Sequence, residues 1–274
     1  ILRFKQDNTV KPGILYNDKE IKDISSLISD WNSSTLLPDI IRKILNTNLS
    51  NLPSVDDSVS LAPCVGNSGK FVCVGLNYIN HVKEVNMESS INKSEPKIFM
   101  KATSSISGPN DDVRIPKQSL KSDWEVELGI VIGNNGKYID EKDALDYIAG
   151  YCVVNDISER SFQLEHGGQW VKGKSCDTFG PIGPYLVTKD EVKNPNDLSI
   201  WLELNGQLMQ SSSTKNMIHN VFSIVSYISQ FMSLQPGDII STGTPAGVGM
   251  GLKPQRFLKS GDYMRLGIDG LGEQ

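Results

Sequence analysis

Three groupings of side chains in this sequence could do chemistry together: paired carboxylates, an imidazole near an acid, and lysines before a glycine-proline turn. The first lies in Asp123-Trp124-Glu125-Val126-Glu127-Leu128-Gly129-Ile130-Val131-Ile132. Alternate residues of a strand share a face. Trp124, Val126, Leu128, Ile130 and Ile132 would therefore line one side, and Glu125, Glu127, Gly129 and Val131 the other. Carboxylates at this spacing stand about 7 Å apart, at a rise of ~3.3 Å per residue. Their repulsion calls for water or for a shared cation, and hard divalent cations favour such oxygen ligands. The pattern fits equally the solvated face of an antiparallel strand. Asp156 closes the apolar run Tyr151-Cys152-Val153-Val154-Asn155. It either points into a site built from neighbouring strands or caps the following turn.

His81 lies in Gly75-Leu76-Asn77-Tyr78-Ile79-Asn80-His81-Val82-Lys83-Glu84. On a helix, His81 and Glu84 at i and i+3 can touch. A carboxylate beside an imidazole fixes its tautomer and stabilises its protonated form, the arrangement of a general base with its orienter. A plain surface helix is the alternative. Lys172 and Lys174 precede Gly180-Pro181. A partly buried lysine can pair with a substrate anion or a developing enolate, though surface lysines are common. Thr242-Gly243-Thr244-Pro245-Ala246-Gly247-Val248-Gly249-Met250-Gly251 lacks the ending of a phosphate loop. It could still bring backbone N–H groups to a ligand oxygen.

These residues need strands to hold them. Strands are expected over Phe71–Gly75, Glu125–Ile132, Ile148–Asn155, Leu198–Asn205 and Asp238–Ser241, and helices over 39–45, Asp140–Tyr147 and Asn220–Met232. Residues 46–58, rich in Asn, Ser and Asp, read as a linker or long loop. Many strands with few helices predict an α+β or mixed-β core. Residues 1–65 read as a small separate N-terminal α+β domain and 66–274 as the catalytic one.

The bulk numbers narrow the function. A net charge of −5 without a Lys/Arg block makes nucleic acid an unexpected partner. No apolar run reaches the ~18 residues of a membrane span, and the N-terminus has no signal-peptide core. Cys64, Cys73, Cys152 and Cys176 form no CxxC pair and read as reduced, mostly buried thiols of a cytoplasmic protein. The missing initiator Met and the final Gly270-Leu271-Gly272-Glu273-Gln274 suggest a protein a few residues longer at each end.

Taken in order, the segments resemble the fumarylacetoacetate hydrolase family. The matching pieces are Gly75-Leu76-Asn77-Tyr78 with His81 and Glu84, Glu125-Val126-Glu127-Leu128, and Asp156-Ile157-Ser158-Glu159-Arg160-Ser161-Phe162-Gln163. They continue with Lys174-Ser175, Asp177-Thr178-Phe179-Gly180-Pro181 and Ser241-Thr242-Gly243-Thr244-Pro245-Ala246-Gly247-Val248-Gly249. The resemblance covers about residues 70–274 and is of the bacterial type with a small leading domain. It implies a mixed β-roll catalytic domain, a homodimer, and one Mg2+ or Mn2+ per site on Glu125, Glu127 and Asp156. It further implies that His81 and Glu84 activate water on a mobile lid covering 81 to about 95. Lys174 would stabilise substrate and intermediate, while Arg160, Gln163 and Thr244 line the substrate site. The expected reaction is hydrolysis of a C–C bond in a 2,4-dioxo acid, an acylpyruvate or a diketo-deoxy sugar acid. Lyase chemistry on the same platform (oxaloacetate decarboxylation or ureidoglycolate cleavage) and a catalytically silent metal-binding protein are the competing readings.

Overall fold

Asp7 and Asn8 take left-handed φ of 50° and 60°, which lets a two-residue turn join the first two strands. A computed structural model of the chain describes residues 1–17, 19–56, 58–87 and 95–274. The first sheet is antiparallel and follows chain order: β1 (Leu2–Gln6), β2 (Thr9–Tyr16), β3 (Glu20–Asp23) and β4 (Ser54–Val55). Helix α1 (Pro38–Leu45) lies between β3 and β4 and buries Ile41 and Ile44. Within the expected linker 46–58, residues 46–56 are more ordered than a linker. They hold a short 3-10 turn at Leu49–Asn51 and then β4, where Val55 pairs with Ile21 and buries its side chain.

The rest of the chain supplies β5 (Phe71–Gly75), α2 (Ile79–Glu84), β6 (Lys97–Lys101), β7 (Ile106–Ser107), β8 (Ser122–Asp123) and β9 (Val126–Ile132). Next come β10 (Ile148–Asn155), β11 (Ser158–Glu159), α3 (Arg160–Leu164), α4 (Val171–Lys174) and β12 (Gly180–Thr188). The last are β13 (Ser199–Leu204), β14 (Gln207–Ser213), α5 (Val221–Phe231), β15 (Ile239–Ser241), β16 (Met264–Ile268) and β17 (Gly272–Glu273). The central sheet has seven strands in the order β6-β5-β15-β9-β10-β12-β7. It is mixed: β5–β15 and β12–β7 are parallel, and the other pairs antiparallel. A second, antiparallel sheet runs β14-β13-β16-β17, and β11 pairs with β8. The expected α+β class with a mixed β-rich catalytic region is what the chain adopts.

Strands β9 and β10 are buried along their whole length, which overturns the solvated-face reading of Glu127. Each face of the sheet meets a separate apolar layer. Val72, Leu128, Ile130, Val153 and Ile240 pack with Ile224, Val225 and Ile228 of α5 and with Leu202 and Leu266 of the second sheet. Phe71, Cys73, Val131, Cys152, Val154 and Ile239 pack with Ile14, Ile24, Trp31, Leu36 and Ile41. Each fully buried aliphatic side chain contributes about 1.5–3 kcal/mol. Residues 1–65 thus have their own sheet and a small core of Leu2, Phe4, Ile21 and Val55, yet bury Trp31 and Leu36 against the central sheet.

Helix α5 starts where Asn220 Oδ1 accepts the amides of Phe222 and Ser223, both at 2.9 Å. Residues Glu141–Tyr147 form 3-10 turns instead of the expected α-helix. Only Ala144 is buried there, too narrow an apolar face to hold an α-helix in place. All four cysteines are free, and Cys64, Cys73 and Cys152 are buried. No helix among the described residues is long and apolar enough to cross a membrane. Of the expected lid, residues 88–94 lie outside the described residues.

Candidate active site

The β9–β10 register assembles three acids. Asn155 pairs with Val126 and Val154 with Glu127, so the next residue, Asp156, falls opposite Glu125. The Asp156 amide donates to the Glu125 carbonyl at 2.8 Å, and the Glu125 amide to Asn155 Oδ1 at 3.1 Å. Opposite residues share a face, so Glu125, Glu127 and Asp156 converge. One carboxylate oxygen from each lies within 4.8 Å of the others, and all three side chains are buried.

Cations crowd this cluster. Lys174 Nζ is 2.6 Å from both Glu125 Oε2 and Asp156 Oδ2. Arg160 Nη2 stands 2.7 Å from Glu125 Oε1 and 2.8 Å from Asp123 Oδ2, without hydrogen-bond alignment to either. Lys101 Nζ, fully buried, donates to Asp156 Oδ1 at 2.6 Å and to the Ile157 carbonyl at 3.0 Å. Glu127 Oε2 accepts the Ser241 hydroxyl and, at 2.8 Å, the Gly243 amide. Burial alone would raise the Glu125 carboxyl, but Lys174 and Arg160 hold it well below the usual carboxylate range. Glu127 goes the other way: burial, then the charges of Asp156 and Glu125, push it well above that range. Burial opposes the Lys174 charge, but Asp156 and Glu125 outweigh it and raise its pKa.

This donor set fits a hard divalent cation. All three candidate ligands are carboxylate oxygens, the preference of Mg2+ and related ions. Glu127 is the acid that the protein's own cations leave least compensated, and an added dication would favour its ionised form.

Helix α2 leads the dyad into the same cleft. Its start follows β5, and His81 and Val82 are buried on its inner side. His81 Nδ1 is 3.4 Å from Glu84 Oε2, and Glu84 Oε1 accepts the Gly247 amide at 2.9 Å. His81, Glu125, Glu127, Arg160, Gln163, Lys174 and Thr244 all line one cleft, whose apolar wall includes Leu76, Phe99 and Trp170. The nine residues singled out from sequence are therefore brought together, Glu84 and Asp156 directly behind that lining. Gln163 Oε1 accepts from Arg160 Nη1 at 3.1 Å. Thr244 differs in detail from the expectation. Its hydroxyl donates to the Val126 carbonyl at 2.9 Å and accepts from Gln210 Nε2 at 2.7 Å, so its one proton donor already serves the fold.

Sequence reasoning passed over Lys101, Asp123 and Ser241. Lys101 carried a faint signal, a lysine ending the run Ile98-Phe99-Met100. Asp123 receives the Arg160 Nε proton at 2.9 Å and the Gly249 and Met250 amides at 2.7 and 3.0 Å. A larger cavity of about 640 Å³ lies near Asp111 and Asp262. Those acids are engaged with Lys5 and the Gly108 amide, and with Asn205 and the Lys259 amide.

Comparison with known proteins bears on this geometry. Residues 70–274 match the family described as fumarylacetoacetate (FAA) hydrolase C-terminal. A Burkholderia ambifaria protein is 51% identical over 275 residues, covering 100% of this chain and 96% of its own length; its name is a provisional designation as a hydrolase. The structure of a fumarylacetoacetate hydrolase from Exiguobacterium antarcticum aligns with a TM-score of 0.86 and 36% identity, over 99% of this chain and 96% of that one. A 2-hydroxyhepta-2,4-diene-1,7-dioate isomerase from Mycobacterium marinum aligns at 0.76 and 32% identity, over 99% and 94%. A maleylpyruvate hydrolase from Sphingobium sp. SYK-6, in complex with manganese(II) and pyruvate, aligns at 0.83 and 28% identity, over 100% and 97%.

Proposed function

Since the chain belongs to the fumarylacetoacetate hydrolase family, we propose that it hydrolyses a C–C bond in a 2,4-dioxo acid and releases a 2-keto acid such as pyruvate. The observation that carries this reading is the convergence of a His–Glu pair and a buried three-acid cluster on one cleft. The manganese and pyruvate of the Sphingobium maleylpyruvate hydrolase structure support the same choice.

In this reading Glu125, Glu127 and Asp156 hold Mg2+ or Mn2+. When bound, such an ion supplies Lewis acidity and a chelation point for the 2-keto acid end. The chain's own groups do the rest. Glu84 faces Nδ1 of His81, which leaves Nε2 to take a proton from water. The hydroxide so formed adds to the distal carbonyl carbon, the adjacent C–C bond breaks, and its electron pair becomes the pyruvate-type enolate. The Lys174 ammonium stabilises that charge as it develops. The proton held by His81 returns to the enolate carbon, so one water yields two acids. Arg160 and Gln163 orient the substrate carboxylate.

A second reading comes from the isomerase among the similar structures: the same pair would move a proton without water attack. Decarboxylase or lyase chemistry would likewise bypass water. The test is a panel of 2,4-dioxo acids, oxaloacetate and ureidoglycolate with Mg2+ and Mn2+, with products identified by mass. Two acids in equal amounts are expected. Carbon dioxide, urea or an isomer of unchanged mass would replace the hydrolase reading with one of the others, and no turnover of any panel member would reject it.

A further inference from the structure

The carboxylate facing His81 is itself seated by a loop more than a hundred residues away in sequence. Glu84 turns Oε2 toward His81 Nδ1 at 3.4 Å and receives the Gly247 amide on Oε1 at 2.9 Å. A carboxylate held at one oxygen by a backbone N–H has little rotational freedom at the other. The room for that carboxylate exists because Gly251 lacks a side chain. A Cβ there would stand 2.3 Å from both Cγ and Cδ of Glu84 and 2.7 Å from Oε1. All three nearest atoms belong to Glu84, and Gly251 is not among the glycines with positive φ. Glycine is thus required here by the space Glu84 takes up, and not by the backbone.

The seat is tied to the acid strand. Asp123 accepts the Gly249 and Met250 amides at 2.7 and 3.0 Å, and Trp124 Nε1 donates to the Gly247 carbonyl at 3.0 Å. These two residues immediately precede Glu125, and Asp123 also holds Arg160. We propose that Gly251 and the Gly247 amide are positioning residues for His81: they seat Glu84, and Asp123 keeps that seat in register with the acid cluster. The inference rests on the reading of His81 and Glu84 as the water-activating pair.

The test uses the full chain, 15N-labelled and loaded with Mg2+, at a single pH. With three histidines in the sequence, the His81 ring nitrogens are assigned by their loss in His81→Ala. In Gly251→Ala the His81 ring signals should move to the positions they take in Glu84→Gln, while those of His166 and His219 stay. Adding Glu84→Asp, one methylene shorter, should return them toward the wild-type positions. Unmoved His81 signals in Gly251→Ala overturn the proposal. Should that variant fail to fold, Glu84→Ala reads the same contact from the other side. The Gly247 amide proton should then shift upfield and exchange faster while that of Gly249 does not, and an unchanged Gly247 amide overturns the proposal. With a substrate found in the panel, Gly251→Ala should lower kcat as far as Glu84→Gln does with little change in KM. Gly251→Ala combined with Glu84→Gln should fall no further than either alone, since residues acting through one contact are not additive; independent losses that multiply overturn the proposal. If the wild-type chain turns over no panel member, the functional reading fails, and the ring-nitrogen result still decides this one.

Discussion

At the residue scale the site is a balance of buried charges. Four acids, Asp123, Glu125, Glu127 and Asp156, are faced by Arg160, Lys174 and Lys101. Buried charges persist only when paired, and the count leaves one acid over, which is where a dication fits. Glu127→Ala should therefore lower Mn2+ affinity by more than about 100-fold, beyond the range seen for loss of an outer-shell partner. Calorimetric titration checks this, and wild-type affinity in the variant would remove Glu127 from the ligand set. The same titration has a proton signature. Burial and the neighbouring acids raise the Glu127 pKa, so ion binding should release its proton and weaken as pH falls. Observed heats should then differ between buffers of different ionisation enthalpy. His81→Ala should keep Mn2+ affinity and lose about 10²–10⁴ in turnover, the usual cost of a missing general base. Near-wild-type kcat would show that His81 is not the base.

At the element scale, short pieces do the positioning and long ones supply the rigidity. Helix α2 spans only Ile79–Glu84 and cannot hold its shape alone. It is anchored by Asn77, whose side chain donates to the Thr242 carbonyl at 2.7 Å and the His219 carbonyl at 3.0 Å. Helix α5, by contrast, packs Val221, Ile224, Val225 and Ile228 into the core beneath the sheet. Its start rests on Asn220, so Asn220→Ala should cost about 0.5–2 kcal/mol. Urea denaturation should show a lower midpoint at unchanged slope. The Asn220 side chain bonds to Glu141 and to its own helix and to none of the three acids, so Mn2+ affinity should stay as it was.

On the scale of the whole molecule, the sheet is a shared wall. One layer against it comes from α5 and the second sheet, the other from residues 1–65. Trp31 is fully buried in the second layer, and its indole donates to the Gly13 carbonyl at 3.0 Å. Trp31→Ala should destabilise the whole chain by about 3–5 kcal/mol. A single unfolding transition at lower denaturant is expected, whereas a separate early transition would show that the N-terminal segment unfolds independently. The homodimer implied by the resemblance is tested by sedimentation. A species at twice the 30.2 kDa chain mass is the expected result, and a 30.2 kDa species at all concentrations would reject it.

Much of the site was legible in the chain order of its residues. Strand alternation alone puts Glu125 and Glu127 on one face, helical spacing alone lets His81 meet Glu84, and the order of the motifs marks the family. Local periodicity could not say whether those acids face water or a core, because burial depends on what covers the sheet. Only the tertiary structure showed that residues 1–65 and α5 cover both sides. Nor could it say that Asp156 meets Glu125, which depends on the β9–β10 register. A slip of one residue would turn every side chain of a strand to the opposite face. Lys101, Asp123 and Gly251 were the least visible. Each acts on a partner 37 to 167 positions away, Asp156, Arg160 and Glu84 respectively, by side-chain contacts or close approach. The intervening residues carry no periodic trace of such a contact, because only the packing of separate elements brings the two partners together.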